Sequence, residues 1–182
     1  MIILASQSPR RKELMGLFRV PFEVRVADIS EDMDKNADPA QQVALVSRRK
    51  AEAVCRNPED VVIAADTIVV CQGEILGKPK DEADACQMLK LLSGKSHQVM
   101  TGLTVLHADK VIMHTEITDV YFRDLTDEQI RSYVKSNEPM DKAGAYAVQG
   151  GAALFVEKLV GDYYNVVGLP VCRLSQILEE IQ

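Results

Sequence analysis

The sequence predicts an α/β protein with a mixed, twisted sheet and flanking helices. In the first part of the chain, short apolar segments typical of buried strands alternate with segments of helical periodicity. The middle of the chain contains two long strand-like segments around residues 108–110, which is the pattern of an antiparallel hairpin. Alternating strands and helices favour parallel pairing, so the two patterns together indicate a mixed sheet.

Local signals support the individual elements. Ser8 and Pro9 suit the N-cap and first position of a helix, Asp81 suits a second N-cap, and Thr126 with Gln129 has the spacing of a capping box. The predicted strands are 2–5, 22–26, 61–70, 74–76, 99–106, 111–122, 153–156 and 164–167. The predicted helices are 10–18 with Leu14, Leu17 and Phe18 on one face, 39–56, 82–92, one after Thr126 and one from Pro170.

Bulk properties narrow the class of protein. The 182 residues suit one domain over 1–182, and the net charge of −6 opposes binding to long nucleic acid. The four cysteines lie in apolar segments without a C-x-x-C pair, which predicts reduced core thiols and a cytoplasmic protein. The first residues lack the pattern of a signal peptide, and no segment approaches the ~20 apolar residues of a membrane helix.

The first candidate site follows the first strand. Arg10 and Arg11 stand at the start of a helix that also offers hydroxyls and free backbone N–H groups. Such a helix start suits phosphate, because the helix dipole and planar guanidinium groups both favour an oxyanion. A capped surface helix with two solvated arginines is an equally compatible interpretation at this point.

Asp66 is the most unusual polar residue, because it interrupts the apolar segment 61–70. Removing a carboxylate from water is costly unless the group is paired or bound to a metal. Asp66 could therefore be a metal ligand or a general base for water, with Thr67 as a second polar group beside it. The alternative is a structural aspartate that bonds its own backbone at a bend in the strand.

Two lysines are candidates for binding phosphate. Lys50 falls on the apolar stripe of its predicted helix, so its ammonium either reaches into a cleft to meet phosphate or extends past the core into water. Lys78 lies in Gly77-Lys78-Pro79-Lys80, where the spacing and Pro79 exclude a Walker A loop. Lys78 could still reach phosphate by itself.

Two loops complete the candidates. Glu31 belongs to an acidic segment that is either a solvated charge run or the source of a second carboxylate, which with Asp66 would hold Mg²⁺ or Mn²⁺. Gln149 lies in the long segment 137–151, and its amide can match the edge of a nucleotide base. The same segment is equally compatible with a surface loop that has no role in binding.

Taken together, these segments resemble the Maf family of nucleotide pyrophosphatases. The resemblance covers residues 3–170 and consists of short motifs in a consistent order. They are Ala5-Ser6-Gln7-Ser8-Pro9-Arg10-Arg11, Ala65-Asp66-Thr67, Gly77-Lys78-Pro79, Leu92-Ser93-Gly94, residues 138–146, Gln149-Gly150, Gly161-Asp162-Tyr163-Tyr164 and Gly168-Leu169-Pro170.

The resemblance implies a fold like that of inosine triphosphate pyrophosphatases, with two lobes around a cleft. It implies hydrolysis of a nucleoside triphosphate to the monophosphate and pyrophosphate, with a divalent cation and in a homodimer. The motifs are most similar to the branch that acts on dTTP and UTP, and modified pyrimidine nucleotides are further expected substrates. The implied cellular roles are to limit incorporation of non-standard nucleotides and a link to arrest of cell division.

The resemblance also assigns residues. Asp66 matches the catalytic acidic residue of the family, which is described as the proton acceptor, and Glu31 matches another residue of the cleft. Asp66 and Glu31 are together the expected metal ligands. The specificity positions are Arg10, Thr67 and Gln149, and the phosphate-binding positions are Ser6, Arg11, Lys50 and Lys78. The chain departs from the family at Ala65, where glycine is usual, and at Ser30-Glu31-Asp32, where paired glutamates are usual.

A non-enzymatic regulator of septum formation that senses nucleotides is the alternative function. Such a protein needs the binding cations but does not need Asp66.

Overall fold

The computed structural model describes residues 1–34 and 36–181. The chain forms two compact units, each assembled from separate segments. Unit 1 contains Met1–Thr67, Thr101–Glu116 and Tyr164–Gln182, and unit 2 contains Ile68–Met100 and Ile117–Tyr163. No helix in the described part of the chain is both long enough and apolar enough to cross a membrane.

The sheet is mixed, as the sequence predicts. The described residues contribute seven strands, which are β1 (Ile2–Leu4), β2 (Phe22–Val24), β3 (Val61–Cys71), β4 (Glu74–Leu76), β5 (Ser96–His107), β6 (Lys110–Phe122) and β7 (Val156–Val160). The order is β2-β1-β3-β5-β6-β7, with β4 paired to β3. Strand β1 pairs in parallel with β2 and β3, whereas β4 and β7 pair antiparallel with β3 and β6.

The helices have clear starting signals. They are α1 (Pro9–Met15), α2 (Pro39–Val54), α3 (Glu82–Leu92), α4 (Asp127–Val134), α5 (Tyr163–Val167) and α6 (Val171–Glu180). The Asp81 carboxylate accepts the backbone N–H of Asp84, and the capping box of Thr126 and Gln129 is formed. Ser8 is the N-cap of α1, but its side chain makes no capping hydrogen bond.

Alternation along β3 determines where the polar residues of unit 1 point. Val62 and Ala64 pack in a cluster with Ala51 and Val54 of α2. Ile63 and Ala65 pack in the opposite cluster, which includes α1 and α6 residues such as Leu14 and Leu174. Successive strand side chains point to opposite faces. Asp66 therefore continues the face that packs on α2, and Thr67 continues the other.

The segment after β7 is a correction to the sequence prediction. Residues 164–167 were predicted as a strand because they are apolar and β-branched, but they belong to helix α5. The helix ends where the backbone N–H groups of Gly168 and Leu169 both bond the Tyr164 carbonyl. Gly168 has a φ of 129°, which a residue with a side chain rarely adopts. The end of helix α5 is thus determined by the backbone conformation of Gly168, which the pattern of apolar residues does not reveal.

Other boundaries and burial also differ from expectation. Residues 153 and 154 of the predicted strand 153–156 lie in the 3-10 turn Gly151–Leu154, and Val156 begins strand β7. Strand β2 ends at Val24. Helix α1 stops at Met15, so Leu17 is 59% exposed. All four cysteines are described and have free thiols, but Cys71 alone among them is buried and Cys172 is exposed. The prediction of core cysteines is therefore confirmed for Cys71 and wrong for Cys172. Cys55 and Cys86 are half-buried, and Cys55 packs against a core cluster.

Gly102 on β5 allows close packing of α2 in unit 1. A Cβ atom at this position would lie 2.7 Å from the backbone nitrogen of Ala44 and still closer to the carbonyl of Val43. Backbone atoms cannot move aside as a flexible side chain can. We expect Gly102→Ala to lower the free energy of unfolding by roughly 2–3 kcal/mol, measured by urea denaturation. Gly77→Ala is the control, since nothing lies within 4 Å of its added Cβ, and an equal loss there would contradict the packing argument.

Unit 2 buries a histidine among aromatic rings. His97 is 3% exposed, its Nε2 lies 2.6 Å from the Tyr146 hydroxyl, and its ring meets Phe122 edge to face. Among the described residues, no hydrogen-bond partner reaches His97 Nδ1. Burial lowers the pKa of His97 to about 4 from 6.5. The folded protein therefore keeps this ring neutral at pH values where an unfolded chain would protonate it.

This shift predicts a loss of stability in acid. Below pH 6.5 the unfolded state binds a proton that folded His97 does not take up until about pH 4. Unfolding is therefore favoured as the pH falls through this range, by up to roughly 3 kcal/mol. Urea denaturation at pH 7 and pH 4.5 should show a smaller acid effect for His97→Gln than for the wild type. His114→Gln is the control, and an unchanged acid effect in His97→Gln would contradict the prediction.

Candidate active site

Lys50 joins two carboxylates in unit 1. Its Nζ lies 2.6 Å from Oδ1 of Asp66 and 2.7 Å from Oε1 of Glu31. The side chains of Lys50 and Asp66 are each 11% exposed, whereas that of Glu31 is 56% exposed. Lys50 therefore does not extend past the core into water, and Asp66 bonds a side chain from another element rather than a bend of its own strand. The roles of Lys50 in binding phosphate and of Asp66 as a metal ligand or general base stay predictions.

The local sequence explains this arrangement. Lys50 lies one turn from Val46 and Val54 on the buried stripe of α2, and this stripe packs on the β3 face that carries Asp66. Burial of either charge alone would cost several kcal/mol, and the attraction between them offsets that cost. Glu31 approaches from the acidic segment before α2, and its side chain stays mostly exposed.

Arg11 is the second buried cation of unit 1. Its Nε donates to the carbonyl of Gly168 at 2.7 Å, its Nη2 to Oγ1 of Thr67 at 3.0 Å, and its Nη1 to Oγ of Ser6 at 3.4 Å. A guanidinium has five N–H donors, so two are not used by these bonds. The residue is 9% exposed. Arg11 is thus held rigidly but can still donate to an anion.

The charges of Asp66 and Glu31, which pair with Lys50, also act on Arg11. Burial lowers the pKa of Arg11, the charge of Asp66 opposes that shift, Arg10 adds to it and Glu31 opposes it. An arginine remains protonated at neutral pH despite such a shift. The carboxylates of Asp66 and Glu31 therefore lie within electrostatic reach of the Arg11 guanidinium.

Ser6 and Thr67 flank the Arg11 guanidinium with opposite hydrogen-bonding character. Ser6 Oγ accepts from Arg11 and from the backbone N–H of Ser8 at 3.2 Å, so its own proton can still be donated. Thr67 Oγ1 accepts from Arg11 and lies 2.8 Å from Oγ1 of Thr101. Thr101, in turn, donates to the backbone carbonyl of Asn165 at 3.1 Å. Sequence reasoning did not identify Thr101, because a threonine in an apolar strand gives no distinct signal.

The structure brings most predicted site residues into unit 1. These are Ser6, Arg10, Arg11, Glu31, Lys50, Asp66 and Thr67. Arg10 is half-buried on α1. Lys78 and Gln149 belong to unit 2, where both are exposed. Lys78 follows β4, and Gln149 lies in the turn before Gly151–Leu154. Their assigned roles stay predictions.

Asp66 and Glu31 are the carboxylates of the site that could serve as ligands of a divalent cation. Within residues 1–34 and 36–181, no group of three or more histidine, cysteine, aspartate or glutamate side chains is arranged to hold a metal. Mg²⁺ typically takes one or two carboxylates and completes its octahedron with water and substrate phosphates. Asp66 and Glu31 fit that kind of site, in which the nucleotide itself supplies ligands.

The comparisons with known proteins identify the family. The sequence matches the family of Maf-like proteins over residues 1–181. It is 49% identical over 180 residues to a dTTP/UTP pyrophosphatase of Bacillus cereus strain AH820, covering 98% of this chain and 94% of that protein. A protein of the same name from Bacillus anthracis is 48% identical, with the same coverage. The chain belongs to the Maf family.

Solved structures show the same fold at low sequence identity. The Ham1 protein of Staphylococcus aureus superimposes with a TM-score of 0.55 and 16% identity, covering 100% of this chain and 99% of that one. A HAM1 protein of Coxiella burnetii gives a TM-score of 0.51 and 14% identity, covering 98% of both chains. At this level of identity the likeness is one of fold alone.

Proposed function

We propose that this protein is a nucleoside triphosphate pyrophosphatase that hydrolyses dTTP and UTP, and modified pyrimidine nucleotides, to the monophosphate and pyrophosphate. The observation that carries the proposal is the buried Lys50 ammonium between Asp66 and Glu31, within electrostatic reach of Arg11. The family relatives that share 48–49% of their sequence with this chain carry the name dTTP/UTP pyrophosphatase. The fold and the charged site agree with that activity.

The cations of the site bind and neutralise the triphosphate. Arg11 keeps two N–H donors beyond its bonds to Ser6, Thr67 and Gly168, and Ser6 can donate its hydroxyl proton. Lys50 can shift from Glu31 toward a phosphate oxygen, because Glu31 is exposed and can turn to water. We assign Lys78 of unit 2 to the same task from its family position. Positive charge held in place stabilises the charge that builds on the phosphates in the transition state.

Asp66 acts on the attacking water. Lys50 contacts Oδ1 and so fixes the carboxylate, and we assign Oδ2 to the water. Asp66 accepts a proton as the water oxygen forms a bond to the α-phosphorus, and the bond from that phosphorus to the bridging oxygen breaks. Pyrophosphate leaves with the bonding electrons. The nucleoside monophosphate carries the oxygen that came from water.

A divalent cation is part of the proposal. Asp66 and Glu31 would hold Mg²⁺ or Mn²⁺, which would supply Lewis-acid stabilisation of the phosphate oxygens when bound. Glu31 would exchange its contact with Lys50 for this ligand role, and Lys50 would then face the phosphates. Such a cation would also offset the net charge of −6 when a polyanion binds.

The base is selected by Arg10, Thr67 and Gln149 in this proposal. Thr67 is half-buried beside Arg11, and Arg10 is half-buried on the same helix as Arg11. We further propose a cytoplasmic homodimer that removes non-standard nucleotides from the precursor pool, with a link to arrest of cell division. The absence of disulfides among the four cysteines is compatible with that location.

A substrate panel tests the proposal. The purified protein is incubated with dTTP, UTP, CTP, ATP, GTP and 7-methyl-GTP, with Mg²⁺ or Mn²⁺, and pyrophosphate release is measured. Release from dTTP and UTP well above the other nucleotides supports the proposed function. No release from any nucleotide, with nucleotide binding retained, would favour the regulator of septum formation instead.

A further inference from the structure

The Thr67 hydroxyl has a fixed hydrogen-bond direction. Thr101 has one hydroxyl proton, and its acceptor is the backbone carbonyl of Asn165, which cannot donate. The proton in the 2.8 Å contact between Thr67 and Thr101 must therefore belong to Thr67. Arg11 Nη2 donates to the same Thr67 oxygen. The chain of donors runs from Arg11 through Thr67 and Thr101 to the carbonyl of Asn165.

Because of this direction, the Thr67 hydroxyl can accept one more hydrogen bond but cannot donate one to a ligand. A hydroxyl has one proton and two lone pairs. The proton goes to Thr101 and one lone pair receives Arg11, so a ligand can only donate to the remaining lone pair. A phosphate oxygen cannot donate, which excludes the triphosphate as the partner of Thr67. Ser6, on the other side of Arg11, keeps its proton and can meet phosphate.

We infer that Thr101 is a positioning residue for substrate choice, because it holds the Thr67 hydroxyl as an acceptor for an N–H group of the base. This inference rests on the proposed function. Uracil and thymine both present an N3–H donor, whereas N3 of cytosine is an acceptor with no proton. An acceptor facing the acceptor-only Thr67 leaves both lone pairs unsatisfied, so CTP is disfavoured.

Space beside the hydroxyl supports this role. Gly168 has no side chain, and a Cβ there would lie 3.8 Å from Thr67 Oγ1 and 3.7 Å from Arg11 Nε. The Gly168 carbonyl also fixes Arg11 at 2.7 Å. Gly168 therefore places no side-chain atom against the Thr67 hydroxyl, while its backbone carbonyl holds the arginine that donates to that hydroxyl. Thr101 itself is fully buried, so it acts on the substrate through Thr67.

Substitution of Thr101 separates positioning from stability. In Thr101→Val the Thr67 proton is released and can be donated to N3 of cytosine. We expect the ratio of kcat/KM for UTP to that for CTP to fall about tenfold, the effect of one hydrogen bond. Thr101→Ser restores the hydroxyl and should restore the ratio. An unchanged ratio in Thr101→Val would overturn the inference.

Thr104→Val is the matched control. Thr104 lies on the same strand and is fully buried, and its hydroxyl is 2.7 Å from Oγ of Ser47, which bonds the carbonyl of Ala44. Removing it loses a comparable buried bond away from Thr67. The UTP-to-CTP ratio should stay at the wild-type value in this variant. A fall equal to that of Thr101→Val would mean that the ratio reports stability, and would overturn the inference.

Substrate analogues test the wild-type protein without any substitution. UTP methylated at N3 lacks the donor and should be hydrolysed as poorly as CTP, whereas 3′-deoxy-UTP keeps the donor and should be hydrolysed like UTP. Hydrolysis of the N3-methylated analogue at the UTP rate would overturn the inference while the proposed function stands. Absence of UTP turnover by the wild type would overturn the proposed function, and the inference with it.

Discussion

Replacing Asp66 with asparagine is expected to lower kcat for dTTP hydrolysis about a thousandfold, the usual contribution of a general base. Asparagine keeps the size of the side chain but cannot accept the proton of the attacking water. Lys50 retains its contact with Glu31, so the variant should fold. The measurement is steady-state pyrophosphate release at saturating dTTP, with circular dichroism to verify folding.

Asp60→Asn is the matched control for this experiment. Asp60 is buried in the same unit and pairs with the N-terminus at 3.2 Å and with Arg25 at 3.6 Å. The substitution removes a buried, paired carboxylate that lies outside the site. It should reduce stability and leave kcat near the wild-type value. Equal kcat values for Asp66→Asn and the wild type would contradict the assignment of Asp66 as the proton acceptor.

Replacing Lys50 with methionine should reduce both stability and activity. Methionine keeps most of the apolar stem but leaves the buried Asp66 carboxylate without its ammonium partner at 2.6 Å. Breaking a buried ion pair by removing one partner typically costs about 3–5 kcal/mol of unfolding free energy. Glu31 is exposed and adds little to this cost. We expect a loss near the lower end of that range by urea denaturation, together with a large fall in kcat/KM for dTTP.

A double variant and a surface control make the Lys50 result specific. Lys50→Met combined with Asp66→Asn removes the unpaired buried charge and should recover part of the lost stability. Lys90→Met breaks an exposed pair with Asp127 at 3.0 Å and should change stability by less than about 1 kcal/mol. A double variant no more stable than Lys50→Met would show that the loss does not come from the isolated carboxylate.

The sequence predicted this site where a polar residue broke an apolar pattern. Asp66 interrupts the buried segment of β3, and Lys50 interrupts the buried stripe of α2. A buried charge requires a partner, which is why both residues were candidates for a charged site. The ion pair between them was not predicted and is a finding of the structure. The mixed sheet was likewise predictable, because strand alternation and the long hairpin are local patterns.

Residues without such a signal could not be predicted. Thr101 is a small polar residue in a strand, and only the direction of its bond to the Asn165 carbonyl gives it a role. Helix α5 has the apolar, β-branched composition of a strand, but Gly168 and the bonds to the Tyr164 carbonyl make it a turn of helix. The role of Thr101 depends on a contact with a residue 64 positions away in the sequence. The end of α5 depends on the backbone conformation of Gly168.

The products of dTTP hydrolysis in ¹⁸O-labelled water test the central claim most directly. The account predicts dTMP and pyrophosphate, with the label in dTMP, because water attacks the α-phosphorus. Formation of dTDP and inorganic phosphate, or label in pyrophosphate, would contradict the proposed roles of Asp66, Lys50 and Arg11 at that phosphorus.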